Sequence, residues 1–157
     1  MKTVMGDILT INTTDYPVLV CHQVNCQGVM GSGLAKQIKD RFPIVFQVYR
    51  DKCRLIHDHI GGLGDVQYCS VISEAGYIIA NIFSQDSFGR DKQYTDYGAM
   101  RSEFQDIARG YRNYTVRIPY LIGCGLGGGD WNVVSQIIQE ELIDRDIDVE
   151  IWRLNKV

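Results

Sequence analysis

Two glycine-rich loops stand out among the residues of this sequence that could do chemistry. The first, Gly28–Gly33, follows the apolar run Val18–Val24; the second, Gly123–Gly129, has glycine at five of its seven positions and follows Val116–Ile122. Glycine lets a backbone approach a ligand closely, and a following helix N-terminus presents unpaired N–H groups to anions. On neighbouring parallel strands the two loops would face each other and could hold a diphosphate without lysine. The alternative is that both are only tight connections.

The spacing within the loops excludes two common phosphate-binding motifs. The first loop has the glycine spacing of a Walker loop, but Leu34 follows where that motif requires Lys and then Ser or Thr, so an NTPase is excluded. Gly123-x-Gly125-x-x-Gly128 matches the dinucleotide fingerprint in form. Only about 30 residues follow it, which is too few for the remainder of a Rossmann domain.

Three further residues are candidates for an acid, a base or a nucleophile. A neutral imidazole at His22 could orient or deprotonate a water molecule; the alternative is a packed core histidine. Asp130 is a second candidate acid or base, but it also precedes Trp131 at the start of a helical pattern, where aspartate is a favoured N-cap. Cys124 is followed six residues later by Asp130, not by the arginine of a cysteine phosphatase, so we expect a packed thiol. Strand alternation predicts that His22 and Asn25 point to opposite faces, unless the end of the strand twists or bulges.

The composition is that of a soluble globule. The chain has 157 residues, 16 Lys and Arg against 19 Asp and Glu, a formal net charge of −3 and 45% hydrophobic residues. This length predicts a single domain over residues 1–157. Mild acidity without a basic run disfavours broad binding to duplex DNA or to an anionic membrane. The polar N-terminus and the lack of a long apolar stretch predict a cytoplasmic location and no membrane partner.

The cysteines and histidines do not form a recognisable metal motif. Five cysteines without a CxxC pair predict reduced thiols, and three histidines without HExxH complete no ligand set. His57 and His59 are expected at the surface. We therefore expect neither a metal nor another cofactor.

Alternating strand and helix patterns predict one α/β domain with a mostly parallel or mixed sheet between helices. Strands are expected at residues 1–5, 18–24, 66–72, 77–83, 116–122 and 149–154, and helices at 34–41, 97–108 and 131–143. The segment Ser73–Gly76 predicts a hairpin turn between the third and fourth strands.

Four short segments occur in a particular order along the chain. They are Gly6-Asp7-Ile8 after the opening strand, Asn25 at the end of the next strand, Gly28–Ala35, and Ile118-Pro119-x-x-Ile122 running into Gly123–Gly127. Together they resemble a macrodomain, the ADP-ribose-binding module, over almost the whole chain. The resemblance implies a three-layer α/β/α sandwich with a central mixed, mostly parallel sheet.

The resemblance also implies a ligand site. Asp7 would accept from the adenine amino group, and Asn25 would bond the distal ribose hydroxyls; the alternatives are a turn or cap residue at position 7 and an asparagine that only closes a strand at position 25. Phe88 would either cover that ribose or only anchor its own loop. The glycine loops would wrap the distal ribose and hold the diphosphate through main-chain N–H groups. The implied ligand-binding residues are Asp7, Ile8, Asn25, Gly28, Val29, Met30, Gly31, Ser32, Gly33, Leu34, Phe88, Gly123, Cys124, Gly125, Leu126, Gly127 and Gly128.

The resemblance points to one branch of the family. The branch that hydrolyses ADP-ribose esters on glutamate, together with its DNA-directed relatives, is distinguished by a lysine where this chain has Ser84-Gln85, and partly by an acidic residue where it has Gly127. His22, three residues before Asn25, and the sequence Ser87-Phe88-Gly89 are instead similar to the ADP-ribose-1″-phosphate phosphatase branch.

We therefore expect a monomer that binds ADP-ribose and dephosphorylates ADP-ribose 1″-phosphate, with His22 and Asp130 as the catalytic candidates. The alternatives are a hydrolase that removes ADP-ribose from modified protein or nucleic acid, and a reader that binds ADP-ribose without turnover.

Overall fold

A computed structural model describes residues 1–11, 17–31, 33–72 and 75–154 of the chain. The elements are β1 Lys2–Met5, β2 Val18–Gln23, α1 Gly33–Arg41, α2 Pro43–His57, β3 Val66–Ile72, β4 Tyr77–Ile82, α3 Tyr97–Gly110, β5 Thr115–Pro119, α4 Trp131–Glu141, a 3-10 turn Ile143–Arg145, and β6 Asp148–Arg153. Within those ranges, no helix has the length and apolar character needed to cross a membrane.

The six strands form one mixed sheet in the order β1-β6-β5-β2-β4-β3. All neighbours are parallel except β3 and β4, which pair antiparallel as the hairpin pattern predicts. Because β2 and β5 are parallel neighbours, the two glycine loops leave the sheet side by side at the same edge. The predicted mixed, mostly parallel α/β sandwich is confirmed. Of the predicted hairpin turn, Ser73 and Glu74 lie outside the described residues.

Two hydrophobic cores lie on the two faces of the sheet. Val18 and Val20 of β2 pack in the core that also contains α1 and α2 residues, whereas Leu19 and Cys21 pack in the core beneath α3 and α4. Burial on both faces explains why β2 and β4 are continuous apolar runs instead of alternating patterns.

The predicted helices do not include α2, because a proline at position 43 disfavours continuation of the helical pattern that ends at Arg41. In the structure Pro43 is the first residue of α2, a position where proline is favoured because its missing N–H has no partner to lose. The helix then buries Val45, Tyr49 and Cys53 at intervals of four residues. This helix forms the outer layer next to the first glycine loop and supplies a side chain, Tyr49, that holds the loop.

Candidate functional site

Three adjoining cavities form one groove at the edge where the parallel strands end. The proximal cavity, of about 410 Å³, is lined by Asp7, Ile8, Gly33, Leu34, Gln37, Pro119, Tyr120, Leu121, Trp152, Arg153 and Leu154. The central cavity, of about 280 Å³, is lined by His22, Gln23, Gly33, Leu34, Ala35, Gln85, Pro119, Tyr120, Leu121, Ile122, Gly123, Gly125, Leu126 and Gly127. The distal cavity, of about 330 Å³, is lined by Gln23, Val24, Asn25, Val29, Gly31, Ala35, Gln85, Phe88 and Leu126. Shared residues, such as Leu34 and then Gln85, make the three continuous.

Asp7 marks the outer end of the proximal cavity. Its Oδ1 accepts from the Leu9 N–H at 2.9 Å, and its Oδ2 pairs with Arg41 Nη2 of α1 at 2.7 Å. Partial burial alone would raise the pKa of Asp7, but the Leu9 N–H and the Arg41 guanidinium outweigh it, and the pKa lies below its ordinary value. Asp7 is therefore an ionised acceptor at the mouth of the cavity, beside Ile8.

Arg117 of β5 holds the loop that carries Asp7, a role that no local sequence pattern predicts. The side chain is 1% exposed, and its Nη1 donates to the main-chain oxygens of Ile8 at 3.1 Å and Thr10 at 2.7 Å. Its guanidinium lies 4.6 Å from the ring centroid of Trp152, and its Nε is 3.8 Å from Glu150 Oε1. The buried guanidinium of Arg117 thus holds the loop against the sheet through hydrogen bonds to its main-chain oxygens.

The second glycine loop presents free main-chain donors to the central cavity. Among the described residues, the N–H groups of Gly125, Leu126 and Gly127 find no main-chain acceptor. Successive unpaired N–H groups of this kind form an anion-binding concavity. Cys124 and Gly128 differ from the prediction, because their N–H groups already close turns of the loop, on Leu121 and Gly125 respectively.

Thr95, from the segment that follows β4, ties this loop to β2. Its hydroxyl donates to the Gly123 carbonyl oxygen at 2.7 Å and accepts from Gln23 Nε2 at 2.9 Å. Gln23 Nε2 also lies 2.6 Å from Gln85 Oε1. The packing is so close that a Cβ at Gly127 would meet Thr95 Oγ1 at 2.4 Å, which explains the need for glycine there. Neither Gln23 nor Thr95 was predicted, since polar residues in separate segments carry no local signal for such contacts.

His22 lines the central cavity and is 2% exposed. Its Nε2 is hydrogen-bonded to Asn81 Oδ1 on β4, and Nδ1 has no partner among the described residues. Burial lowers the pKa of His22 to about 4, against the smaller opposing effect of Asn81. The imidazole is therefore neutral near pH 7, as a residue that accepts a hydrogen bond from water must be.

Asn25 organises the first glycine loop. Its side-chain oxygen accepts from the Gln27 N–H at 2.9 Å and from the Tyr49 hydroxyl at 2.8 Å, while its amide donates to the Val29 carbonyl oxygen at 2.9 Å. The contact with Tyr49 of α2 places Asn25 on the same side of the sheet as His22. The alternation that places His22 and Asn25 on opposite faces does not extend to Asn25, because β2 ends at Gln23.

The residues of the first loop divide between different surroundings. Val29 and Gly31 line the distal cavity, and Gly33 with Leu34 lines the other two. Met30 is instead buried in the core, where it anchors the loop. Gly28 lies beside α2 and lines a separate cavity, which His57 also lines. Ser32 lies outside the described residues.

The distal cavity has an uncharged lining with an apolar rim. Val29, Phe88 and Leu126 are 43%, 50% and 52% exposed and all line it. No Lys, Arg or His occurs among its described lining residues. Polar groups reach it from Gln23, Gln85 and Asn25. A ligand group held here therefore meets amides and apolar surface.

Ser84 occupies the position directly after β4 and Phe83 and is buried. Its hydroxyl donates to Glu103 Oε1 of α3. Burial raises the pKa of Glu103 to about 9, outweighing the lowering by Ser84 and by the Gly64 main chain. Both side chains are fully buried, so this position supplies an interior contact and no cation to the groove.

Asp130 and Cys124 serve the loop structure. Asp130 is the N-cap of α4, with its carboxylate accepting from the Asn132 N–H at 2.8 Å, and it is not among the residues lining the three cavities. Its catalytic role stays a prediction. The Cys124 thiol points to the Ile122 carbonyl oxygen at 3.3 Å, and burial raises its pKa, as expected for a packed thiol. Within the described ranges, no three His, Cys, Asp or Glu side chains cluster closely enough to hold a metal ion.

Comparisons with known proteins agree with the fold. No family model matches the sequence. A macrodomain protein from Streptomyces coelicolor superposes with a TM-score of 0.79 at 26% identity, over 96% of this chain and 97% of that one. The DNA ADP-ribosyl transferase–DNA ADP-ribosyl glycohydrolase fusion protein of Thermosipho africanus is 28% identical over 142 residues, 82% of this chain and 36% of that protein. The ADP-ribose 1″-phosphate phosphatase of Meyerozyma guilliermondii is 28% identical over 105 residues, 61% of this chain and 59% of that protein.

The fold defines this protein as a three-layer α/β sandwich with a groove at the carboxyl edge of its sheet. The similarity to the Streptomyces structure extends over nearly the whole of both chains, and the chain has the macrodomain fold. It spans about a third of the length of the Thermosipho relative and about three fifths of the phosphatase relative.

Proposed function

We propose that this protein binds ADP-ribose along the groove and hydrolyses ADP-ribose 1″-phosphate to ADP-ribose and phosphate. The observation that carries the proposal is His22, a neutral histidine that lines the central cavity and whose buried Nδ1 has no hydrogen-bond partner among the described residues. One relative, 28% identical, bears the name of this activity, which supports the same assignment.

The order of the three cavities suits the three parts of ADP-ribose. The proximal cavity offers Trp152 and Ile8 as apolar surface and the Asp7 carboxylate as acceptor, which suits adenine and its amino group. The free N–H groups of Gly125, Leu126 and Gly127 suit the diphosphate. The distal cavity, with its amide side chains, then receives the distal ribose.

In the proposed reaction a water oxygen attacks the phosphorus of the 1″-phosphate. The bond between phosphorus and the ribose 1″ oxygen breaks, one water proton ends on that oxygen, and the hydroxide remains on the phosphate. Nδ1 of His22 accepts a hydrogen bond from the water and orients it. With its pKa lowered to about 4, the imidazole acts as an acceptor near pH 7 and not as the acid that protonates the leaving oxygen.

A second candidate function is the removal of ADP-ribose from a modified macromolecule, or its binding without turnover. The distal cavity favours this alternative, because its described lining has no cation to receive a 1″-phosphate and its rim is apolar at Val29, Phe88 and Leu126. The Thermosipho relative, named for action on DNA-linked ADP-ribose, is similar to more of this chain than the phosphatase relative is.

The experiment is calorimetric titration with ADP-ribose, followed by assays for phosphate release from ADP-ribose 1″-phosphate and for ADP-ribose release from ADP-ribosylated protein and DNA. His22→Ala is compared with His57→Ala, which alters a histidine outside the groove. For the phosphatase we expect phosphate release that falls at least about a hundredfold in His22→Ala and is unchanged in His57→Ala.

The remaining outcomes separate the alternatives. ADP-ribose release from a macromolecule without phosphate release would replace the phosphatase with the second candidate. Tight binding without either product would define a reader. Absence of ADP-ribose binding would overturn the proposed function as a whole.

A further inference from the structure

A chain of polar side chains on adjacent strands, the buried Asn81 and the half-buried Gln67, connects the buried His22 to a helix. His22 of β2 lies opposite Asn81 of β4, which lies opposite Gln67 of β3. The His22 Nε2 atom is hydrogen-bonded to Asn81 Oδ1, Asn81 Nδ2 donates to Gln67 Oε1 at 3.0 Å, and Gln67 Nε2 donates to the Val48 carbonyl oxygen of α2 at 3.0 Å. The chain of hydrogen bonds therefore starts at a main-chain atom and ends at the groove.

The main-chain atom fixes the direction of every bond in this chain. A carbonyl oxygen can only accept, so Gln67 must turn its amide nitrogen to Val48 and its oxygen to Asn81. Asn81 must then donate to Gln67 and present its own oxygen to His22. An oxygen facing Nε2 requires a proton on that nitrogen, and in a neutral imidazole this leaves Nδ1 without one.

We infer that Gln67 is a positioning residue which, acting through Asn81, holds His22 in the Nε2–H tautomer and keeps Nδ1 as a hydrogen-bond acceptor for the groove. Gln67 lines none of the three groove cavities, so it acts only through its neighbour. The part of the inference that concerns turnover rests on the proposed function. The part that concerns the tautomer does not.

The unprotonated Nδ1 of His22 can only accept a hydrogen bond, and this determines which ligand atoms can lie next to it. An acceptor attracts a proton-bearing group, such as water or a ribose hydroxyl, and repels a deprotonated phosphate oxygen. Burial strengthens the constraint on the Nε2 side, because Asn81 is 0% exposed and water cannot take its place as the partner of Nε2. The pKa of His22, lowered to about 4, agrees with a neutral ring.

The test is long-range ¹⁵N–¹H correlation spectroscopy at pH 7 on ¹⁵N-histidine protein. A His57→Gln, His59→Gln background leaves His22 as the only one of the three histidines. We expect a single Nε2–H tautomer. Gln67→Leu removes the group that orients Asn81, so we expect a mixture of both tautomers. Gln67→Glu keeps a side-chain oxygen that accepts from Asn81 Nδ2, so Asn81 still presents its own oxygen to His22 and we expect the single tautomer to return.

Activity provides the second readout. Gln67→Leu should lower phosphate release about tenfold with ADP-ribose affinity changed less than about threefold, and Gln67→Glu should restore release; a merely structural role would not follow the tautomer in this way. A proton on Nδ1 in the background protein, or an unchanged tautomer in a folded Gln67→Leu, would overturn the inference. The position of the proton in the background protein is measured without any Gln67 variant, so this test does not depend on whether the variants fold. Absence of phosphate release from the wild type would overturn the proposed function and leave the tautomer result intact.

Discussion

Arg117 donates from Nη1 to the main-chain oxygen of Ile8 at 3.1 Å, across a separation of 109 residues in the sequence. The contact couples the centre of β5 to the loop that lines the proximal cavity. Since Ile8 and Asp7 are adjacent, the position of the Asp7 carboxylate depends on a buried residue that lines none of the three groove cavities. Recognition at this end of the groove is thus set by the sheet as well as by the loop.

Arg117→Met should weaken ADP-ribose binding about tenfold or more. Methionine has similar length but no donor, so the oxygens of Ile8 and Thr10 lose their partner and the loop is released. Arg117→Lys, which keeps one donor, should bind with intermediate affinity, and the exposed Arg112→Met should bind like the wild type. Calorimetric titration measures all three. Wild-type affinity in a folded Arg117→Met protein would contradict this prediction.

Asp7→Ala should also lower ADP-ribose affinity about tenfold or more, because the cavity loses its ionised acceptor. Arg41→Gln separates this role from the ion pair. The Asp7–Arg41 pair is well exposed, and such pairs contribute at most about 1 kcal/mol, so we expect less than about a fivefold change in affinity. Equal losses in the two variants would show that the ion pair, and not contact with the ligand, explains the effect of Asp7.

Gly127→Ala should destabilise the fold by about 1–3 kcal/mol, measured by urea denaturation. The new Cβ would lie 2.4 Å from Thr95 Oγ1 and 2.8 Å from the Gly123 oxygen, so the loop must shift. Gly125→Ala is the matched control, since a Cβ there meets nothing within 4 Å and should cost less than about 0.5 kcal/mol. Similar losses in both variants would count against the close packing of Gly127.

Glu103 should make stability fall as pH rises above neutrality. Its carboxyl, with a pKa of about 9 in the folded protein and an ordinary value of 4.5, stays protonated in the native state while the unfolded chain has released its proton. The stabilisation is thus complete below about pH 4.5 and is lost as pH rises toward 9. Between pH 7 and pH 8 the free energy of unfolding should decline by roughly 1.4 kcal/mol, the equivalent of one proton per pH unit.

Glu103→Gln is the comparison for this effect. The amide oxygen can still accept from Ser84 but cannot ionise, so the decline between pH 7 and pH 8 should be smaller by roughly the same amount. Urea titrations of both proteins at the two pH values measure the difference. Parallel pH profiles would mean that Glu103 is ionised in the native state.

The strands and the glycine loops could be predicted from the sequence because each is encoded by residues that are neighbours in the chain. Continuous apolar runs identify β2 and β4, and clustered glycines identify the loops. The groove depends in addition on contacts that no local pattern reports. Gln23 meets Thr95 across 72 residues, and His22 meets Asn81 across 59, only because the sheet order brings their segments together. Pro43 shows a different limit of sequence-based prediction. Proline is found both after the end of a helix and at the start of one, so its presence alone does not predict that α2 begins there.

The hydrogen bonds that join Gln23, Thr95 and the Gly123 oxygen have a consequence for the kinetics of binding. They link the last residue of β2 with the segments that follow β4 and β5, and every partner belongs to the protein itself, so we expect the central cavity to keep its shape when a molecule enters. Little ordering entropy is then lost on association. Stopped-flow traces should show one exponential phase whose rate rises linearly with ADP-ribose concentration, without the plateau that a preceding or following conformational step imposes.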